Sequence, residues 1–253
     1  MNLTLNKQTL GLIIVILIFS LIPLLRNDYL THIMVLGLIY GGLAVWWDVL
    51  YGYTGILHFG YMGVAGFGAY TAAIISIEYG VSPWVGLLIG GIAGLLVSLP
   101  MAVLCLKVKS HYLAIASLAY GQVLMLLIAR PLSPITNGPN GLWGIPSLFA
   151  VERFPYFYAV LALALGAIYL KYKIINSRYG LYLRAIGQNP EAAQALGLHV
   201  NKYRTLILML SSMLSGIFAS YYAYYVLLLA LSLIHISEPT RPLYISYAVF
   251  CLK

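Results

Sequence analysis

The chain has 253 residues, of which 62% are hydrophobic and only 8% are charged. Because soluble domains carry roughly 25% charged residues, this composition excludes an ordinary soluble globule and predicts an all-α, polytopic membrane protein. The 14 basic and 6 acidic residues give a net charge of +8. No basic stripe carries interleaved aromatic residues, so this excess predicts contact with anionic membrane lipid rather than with nucleic acid. The scattered histidines and the two cysteines have no ligand spacing, so no metal site is expected.

Seven apolar segments follow one another along the chain. Each is long enough, or nearly so, to cross a bilayer, which takes roughly 17–25 helical residues. The predicted spans are Leu10–Leu25, Tyr29–Tyr51, Gly52–Ser76, Pro83–Leu106, His111–Ala129, Pro155–Ile175 and Thr205–Ala230. We therefore expect one transmembrane domain over residues 1–230, with a polar loop at 176–204.

Asp48 lies near the end of the second span, next to Trp46 and Trp47. An ionisable residue at membrane depth favours a functional role. A position at the headgroup level, where tryptophans form an interface belt, is the other interpretation.

Glycines recur through the third span, among them Gly55, Gly60, Gly63 and Gly66. Glycine lets helices approach closely in lipid, and it also permits a broken helix that lines a polar cavity. Helix packing and lining of a translocation path therefore both remain open for these positions. Gln122, in the fifth span, has the same two interpretations: it could line the path or bond a neighbouring helix.

Residues 130–154 form a predicted loop that is heavily punctuated by proline and glycine. Its candidate functional positions are Thr136, Gly138, Gly141, Gly144 and Pro146.

The loop at 176–204 contains a polar stretch, RAIGQNPEAAQALG, whose residues nevertheless favour regular structure. Asn189 can cap the free N–H groups of a helix, and Pro190 suits its first turn. The alanines that follow favour a helix, and Gly197 is a natural stop. We predict a short helix with a face of small side chains that another surface could approach. The functional candidates in this loop are Arg184, Glu191, Ala192, Ala193 and Gly197.

The E-A-A-x-x-x-G pattern of Glu191–Gly197 resembles the loop with which bacterial ABC-importer permeases dock on their ATPase subunit. Gly66–Thr71, reading GFGAYT, is similar to the end of the glycine-rich segment in the branched-chain amino acid branch of these permeases. Thr136–Pro146 resembles the T-x-G-x-x-G-L-x-G-I-P loop of the same branch. By these motifs the chain resembles a branched-chain amino acid ABC transporter permease subunit, and permeases for urea and short amides are similar at the same positions.

The resemblance implies a membrane subunit of an ATP-driven importer for branched-chain amino acids in the bacterial inner membrane. Its implied partners are a sister permease subunit, cytosolic ABC ATPase subunits and an extracytoplasmic solute-binding protein. The loop at 130–154 would then belong to the outer face where the binding protein docks, or be a plain external turn. The chain has no G-x-x-x-x-G-K-[ST] phosphate loop, so ATP and Mg²⁺ would bind to the ATPases. No catalytic residue and no cofactor are expected on this chain.

Two alternatives to this function remain open. A permease for urea or short amides would keep the same architecture and change the cargo. An ion-coupled secondary transporter would need an inverted repeat and intramembrane ionisable residues. Asp48 alone gives little support for this alternative.

The basic residues favour one orientation. If the N-terminus is cytoplasmic and seven spans follow, the positive-inside rule is satisfied. The inner side then holds Lys7, Lys107, Lys109, Lys171, Lys173, Arg178, Arg184, Lys202 and Arg204, whereas the outer side holds Arg26, Arg130 and Arg153.

The chain changes character at Leu231. Leu231–Arg241 reads LSLIHISEPTR, which looks like the translation of a transposase-end adapter used to prepare sequencing libraries. We expect residues 231–253 to be such an artefact, and the permease to be truncated at its C-terminus near residue 230.

Overall fold

The computed structural model describes residues 27–107, 110–149 and 153–230. Within these ranges helices dominate, and the all-α prediction is confirmed. The first predicted span, Leu10–Leu25, and the suspected artefact at 231–253 lie outside the described residues. The helices are α1 (Asp28–Thr54), α2 (Tyr61–Tyr79), α3 (Pro83–Lys107), α4 (Ser110–Ala129), α5 (Ser133–Thr136), a 3₁₀ turn (Gly138–Asn140), α6 (Arg153–Ile175), α7 (Arg178–Gln188), α8 (Pro190–Ala195) and α9 (Val200–Val226).

Five of the described helices are long and apolar enough to cross a membrane. They are α1, α9 and most of α3, α4 and α6, and they match five of the seven predicted spans. The glycine-rich segment also forms a helix, α2, but α2 is not among these five. Its side chains are largely buried within the protein.

The boundary between the second and third predicted spans was wrong. We expected the break at Gly52, but α1 continues to Thr54 and ends at Gly55, whose φ of 68° lies in the left-handed region. That conformation favours glycine and is a common way to end a helix. An irregular segment, residues 55–60, therefore separates α1 from α2.

The centre of the fold is a contact between small residues of α2, α3 and α9. A Cβ atom added to Gly68 would lie 2.6 Å from the carbonyl oxygen of Gly90, and one added to Gly216 would overlap the same oxygen. Only glycine fits where three helix backbones meet at this distance. Small residues thus allow α2, α3 and α9 to pack closely, and α9 is the central helix, in contact with α1, α2 and α3.

The two ends of the helix bundle are built differently. At one end, the C-terminus of α1 meets α7 and the start of α9. At the other end, the loop after α4 is joined to the chain after α9, because Leu142 and Leu229 exchange two backbone hydrogen bonds of 2.9 and 3.2 Å. We call the first the coupling end and the second the opposite end.

Candidate functional site

The polar loop at 176–204 folds into the two short helices α7 and α8 before α9 begins. The predicted helix start is confirmed: the Asn189 side chain accepts hydrogen bonds from the backbone N–H groups of Glu191 and Ala192, at 3.1 and 3.0 Å. Pro190 occupies the first helical position. These contacts satisfy N–H groups that the helix itself leaves unpaired.

The predicted helix stop is also present. Gly197 has a φ of 85°, and the N–H of Leu198 reaches back to the carbonyl of Ala193 at 3.1 Å, while the N–H of Gly197 bonds the carbonyl of Gln194 at 2.9 Å. This pair of bonds is the Schellman pattern, which closes a helix at a left-handed glycine. Helix α8 is therefore fixed at both of its ends by local contacts.

Helix α8 has one buried and one exposed face. Ala193 is buried with Ile186 of α7 and Val200 of α9 in a small apolar cluster. On the other face Glu191 and Ala192 are exposed, as are Gln194 to Gly197, and Leu196 is 84% exposed. An open groove of about 610 Å³ lies beside this face, lined by Gln194 and by Gly197–Lys202. The predicted small-faced surface is therefore accessible from outside the chain.

The α7–α8 pair rests on the C-terminal end of α1. The guanidinium carbon of Arg184 lies 5.8 Å above the centroid of the Tyr53 ring, within the range of a cation–π contact. A Cβ added to Gly187 would lie 2.5 Å from the carbonyl oxygen of Tyr53, so the two backbones touch. Arg204, in the first turns of α9, donates a hydrogen bond to the carbonyl oxygen of Thr54 at 3.5 Å.

Three of these contact residues, Tyr53, Thr54 and Arg204, were not among the sequence candidates. No local motif marks them, because their role depends on partners far away in the chain. Gly187 also escaped notice, since a glycine at the end of a polar helix has many possible explanations. The basic character of the loop was the one available signal for Arg204.

Two glycine candidates at the start of α2, Gly60 and Gly63, lie in close contact with α4. A Cβ on Gly60 would overlap the carbonyl oxygen of Ser117 in α4, and one on Gly63 would lie 2.8 Å from the Cα of Gly121. Gly66 is buried within the same helix. The start of α2 is thus pressed against the backbone of α4.

Gln122 and Gly55 are not part of this packed contact. Gln122 is exposed on the surface of α4 that faces away from the rest of the described chain, although its neighbour Gly121 is buried against Gly60. The structure therefore does not bring Gln122 into the interior of the described chain. Gly55 forms the C-cap of α1 at the coupling end.

The candidates at the opposite end form an ordered loop. The Thr136 hydroxyl is buried and donates to carbonyl oxygens of α4 and of the turn that follows it. Gly138, Gly141 and Gly144 all have positive φ, of 53°, 79° and 78°. A Cβ on Gly141 would overlap the carbonyl oxygen of Leu229. Pro146 is half-buried. Backbone conformation and the contact with Leu229 explain these glycines.

Asp48 forms an ion pair with Lys171 of α6, with 2.6 Å between the carboxylate oxygen and Nζ. Both residues lie toward the coupling-end termini of their helices, and Asp48 is exposed. The position agrees with the headgroup interpretation better than with a buried functional carboxylate. In the part of the chain that the structure describes, no group of three or more His, Cys, Asp or Glu residues could hold a metal ion.

A sequence model of one protein family, described as the permease component of branched-chain amino acid transport systems, matches residues 29–236. The chain belongs to this permease family. The match covers α1 except its first residue and all of α2 to α9, including the α7–α8 pair, together with the opposite-end loop. Membership agrees with the multi-pass helical architecture described above.

The names of the relatives refer to two kinds of transported solute, branched-chain amino acids and nucleosides. The high-affinity branched-chain amino acid transport system permease protein LivM of Escherichia coli (strain K12) is 26% identical over 249 aligned positions, covering 86% of this chain and 57% of LivM. The nucleoside ABC transporter permease protein NupC of Lactococcus lactis is 27% identical, covering 67% of this chain and 59% of NupC. The guanosine ABC transporter permease protein NupQ of Bacillus subtilis is 28% identical, with 67% and 59% covered.

The chain therefore spans little more than half the length of these relatives. No solved structure matches the chain. The names of the relatives leave the solute open between an amino acid and a nucleoside.

Proposed function

We propose that the protein is a membrane-spanning permease subunit of an ATP-driven importer in the bacterial inner membrane, and that α8 is the part on which a cytosolic ABC ATPase subunit docks. The observation that carries the proposal is the α7–α8 pair. It presents a small, exposed face to the outside and touches the end of α1 on the inside. A partner that moves α8 would thereby move α1 and α9 as well.

The order of these contacts suggests how the movement passes into the membrane. Displacement of α8 acts on α7 and α9 through the cluster of Ile186, Ala193 and Val200. From there, Gly187 and Arg204 press on Tyr53 and Thr54. Gly55 is the next residue after Thr54, so a displacement of the end of α1 would also reach the irregular segment, residues 55–60, that precedes α2. This chain would do mechanical work, while ATP and Mg²⁺ would be bound by the ATPase and no cofactor by the permease.

The remaining partners and the orientation follow from the family and from charge. A sister permease subunit would complete the membrane core, and an extracytoplasmic solute-binding protein would dock on the opposite end, around Thr136–Pro146. Lys173, Arg178, Arg184 and Lys202 lie at the coupling end or next to it, and the positive-inside rule favours the cytoplasm for that end. The N-terminus would then be cytoplasmic as well.

Branched-chain amino acids are the solute that we propose first, because the family and LivM carry that name. A nucleoside is the second candidate, supported by the names of NupC and NupQ. Urea or a short amide remains an alternative from the sequence motifs. Membership in a permease family named with ABC importers favours ATP-driven over ion-coupled transport.

Docking is tested by co-expressing the full-length protein with ABC ATPase subunits from the same organism and purifying them together. Gly197→Trp should reduce the amount of ATPase that co-purifies at least about tenfold, a loss of roughly 1.4 kcal/mol in binding. Glu191→Lys should act in the same direction. Gly80→Trp is the matched control: Gly80 also has positive φ, 62°, and open space around its Cβ position, but it caps α2 away from the loop.

The two substitutions separate docking from folding. If both tryptophan variants lose the ATPase equally, the loss reflects strain at a left-handed glycine and not a docking surface. Full recovery of the ATPase by the Gly197→Trp protein would rule α8 out as the docking site. ATP-dependent uptake of L-leucine, guanosine and urea into proteoliposomes then decides the solute.

A further inference from the structure

The segment between α1 and α2 turns back into the protein instead of staying at the coupling end. The indole N–H of Trp47 donates to the carbonyl oxygen of His58 at 3.1 Å. Trp47 precedes the end of α1 by about two turns, roughly 10 Å along the helix axis. The N–H of Phe59 bonds the hydroxyl of Ser117 at 2.9 Å, and Ser117 lies inside the apolar window Tyr112–Ala129. Helix α2 therefore begins inside the protein, packed against α1 and α4 about two turns short of the end of α1.

The start of α2 has the properties of an anion site. Its N-cap residue is Gly60, which provides no side-chain cap. The first N–H groups of a helix lack partners within the helix, and the helix dipole places a partial positive charge there. In some membrane transporters, the N-terminus of a discontinuous helix holds the carboxylate of the substrate.

His58 is a second, independent feature of the same place. Its side chain is 0% exposed, and neither ring nitrogen has a hydrogen-bond partner within the described residues. The ring meets that of Tyr61, the first residue of α2, edge to face with 6.1 Å between centroids. A buried polar group without a partner costs roughly 1–3 kcal/mol, so this histidine is expected to have a partner at some stage of the protein's work.

The surroundings of His58 are held in position. The Tyr61 hydroxyl donates to the carbonyl oxygen of Ser211 in α9 at 3.3 Å, and the Ser211 hydroxyl donates to the carbonyl oxygen of Trp46 in α1 at 2.9 Å. The first turn of α2 is thereby fixed between α1 and α9. The segment that carries His58 is linked to the coupling end through Gly55, so it can move when α1 moves.

We propose that His58 and the N-terminus of α2 bind the carboxylate of the transported solute when this segment opens. A neutral imidazole donates one N–H, and the helix terminus adds its free N–H groups and its dipole. Amino acids carry a carboxylate and nucleosides do not, so the site favours amino acids over the nucleosides named for two of the relatives. The inference rests on the proposed importer function and assigns its substrate class.

The test uses thiol labelling of the full-length protein in proteoliposomes with its ATPase subunits. The native cysteines of that protein, Cys105 among them, are first replaced by Ser, and His58→Cys is then introduced. The probes are the anionic sulfonatoethyl and the cationic trimethylammonioethyl methanethiosulfonates, each compared with its rate on free cysteine. Ala65→Cys is the control, because Ala65 is buried one turn further along α2.

We expect the normalised rate at His58→Cys to favour the anionic probe by about five- to tenfold, which corresponds to the upper range of a helix-terminus charge effect. L-leucine should slow the reaction by a similar factor. L-leucinol, which has the same side chain without the carboxylate, and adenosine should not. Ala65→Cys should show neither the charge preference nor the protection.

Three results would overturn the assignment: no reaction at His58→Cys in any nucleotide state, equal rates for the two probes, or equal protection by leucine and leucinol. Uptake provides the second measurement. His58→Leu should lower leucine uptake about tenfold, while His58→Gln, which keeps a donor, should retain more than half. His32→Gln, at the other end of α1, should be unaffected. If the importer function itself is wrong, no variant takes up leucine, yet the labelling pattern still reports on the site.

Discussion

Arg204, near the start of α9, donates a hydrogen bond from Nη2 to the carbonyl oxygen of Thr54, the last helical residue of α1. The bond joins the central helix of the bundle to the residue that precedes the Gly55 turn. A cation at a helix C-terminus also interacts favourably with the helix dipole. This contact is therefore where movement of the coupling end would pass into the membrane part of the protein.

Arg204→Gln should uncouple ATP hydrolysis from transport. The hydrogen bond is long, so we expect its loss to cost about 1 kcal/mol, which corresponds to roughly a fivefold fall in uptake per ATP hydrolysed. The ATPase should still co-purify, because α8 is untouched. Lys173→Gln, an exposed cation in the last turn of α6, is the matched control. An unchanged uptake-to-ATP ratio in the Arg204 variant would remove this contact from the mechanism.

Gly187→Ala should destabilise the contact between α7 and α1. The new methyl group would lie 2.5 Å from the Tyr53 carbonyl oxygen, and backbone atoms cannot move aside without shifting a helix. We expect a loss of about 1–3 kcal/mol, as in other overpacked sites, seen as a lower melting temperature in detergent. Gly166→Ala adds a methyl group where nothing lies within 4 Å, and should leave the melting temperature unchanged or slightly raised.

Asn189→Ala should loosen α8. The substitution removes the side-chain oxygen that two backbone N–H groups share, and loss of such a cap costs about 1 kcal/mol. Hydrogen exchange of residues 190–198 should accelerate by roughly fivefold, with little change in α9. Asn189→Asp keeps the acceptor and should exchange at the native rate. Equal acceleration in both variants would mean that the cap does not stabilise the helix.

Gly60→Ala should be among the most damaging of the small substitutions in the glycine-rich segment. Its methyl group would overlap the Ser117 carbonyl oxygen, so α2 and α4 would have to separate. We expect a cost of about 3 kcal/mol, at the upper end of the overpacking range, measured by thermal unfolding in detergent. Gly37→Ala, in α1 with open space around the new Cβ, should unfold at the native temperature or above it.

The ion pair of Asp48 and Lys171 should contribute little. The Asp48 side chain is 56% exposed and that of Lys171 is 22% exposed, and exposed pairs give about 0–1 kcal/mol. A double-mutant cycle with Asp48→Asn and Lys171→Gln should yield a coupling free energy in that range. Uptake by Asp48→Asn should stay near the native level. A large loss of uptake would restore the functional interpretation of this carboxylate.

Local signals made much of this structure predictable from the sequence. Asn189, Pro190 and Gly197 identify the limits of α8, because capping depends on residues within one helical turn. Long apolar runs identify the five spanning helices for a similar reason, since the bilayer imposes a length. The glycines of α2 were recognised as packing or path residues, although their partners could not be named.

Contacts between distant segments could not be predicted. Thr54 and Arg204 carry no motif, and their hydrogen bond exists only once α1 and α9 lie side by side. The end of α1 was placed too early because Gly52 suggested a break, whereas the left-handed turn falls at Gly55. Gln122 was considered for the interior, but the rotation of α4 is set by the contact of Gly121 with Gly60, which turns Gln122 outward.

The paired leucines at the opposite end also constrain how the protein can be made. Leu142 and Leu229 complete each other's backbone hydrogen bonds, but a ribosome reaches the second long after the first. At about 5–20 residues per second, the delay is on the order of ten seconds. During synthesis the loop around Gly141 therefore remains for that time with these bonds unmade, and it acquires its final shape only after Leu229 has been added.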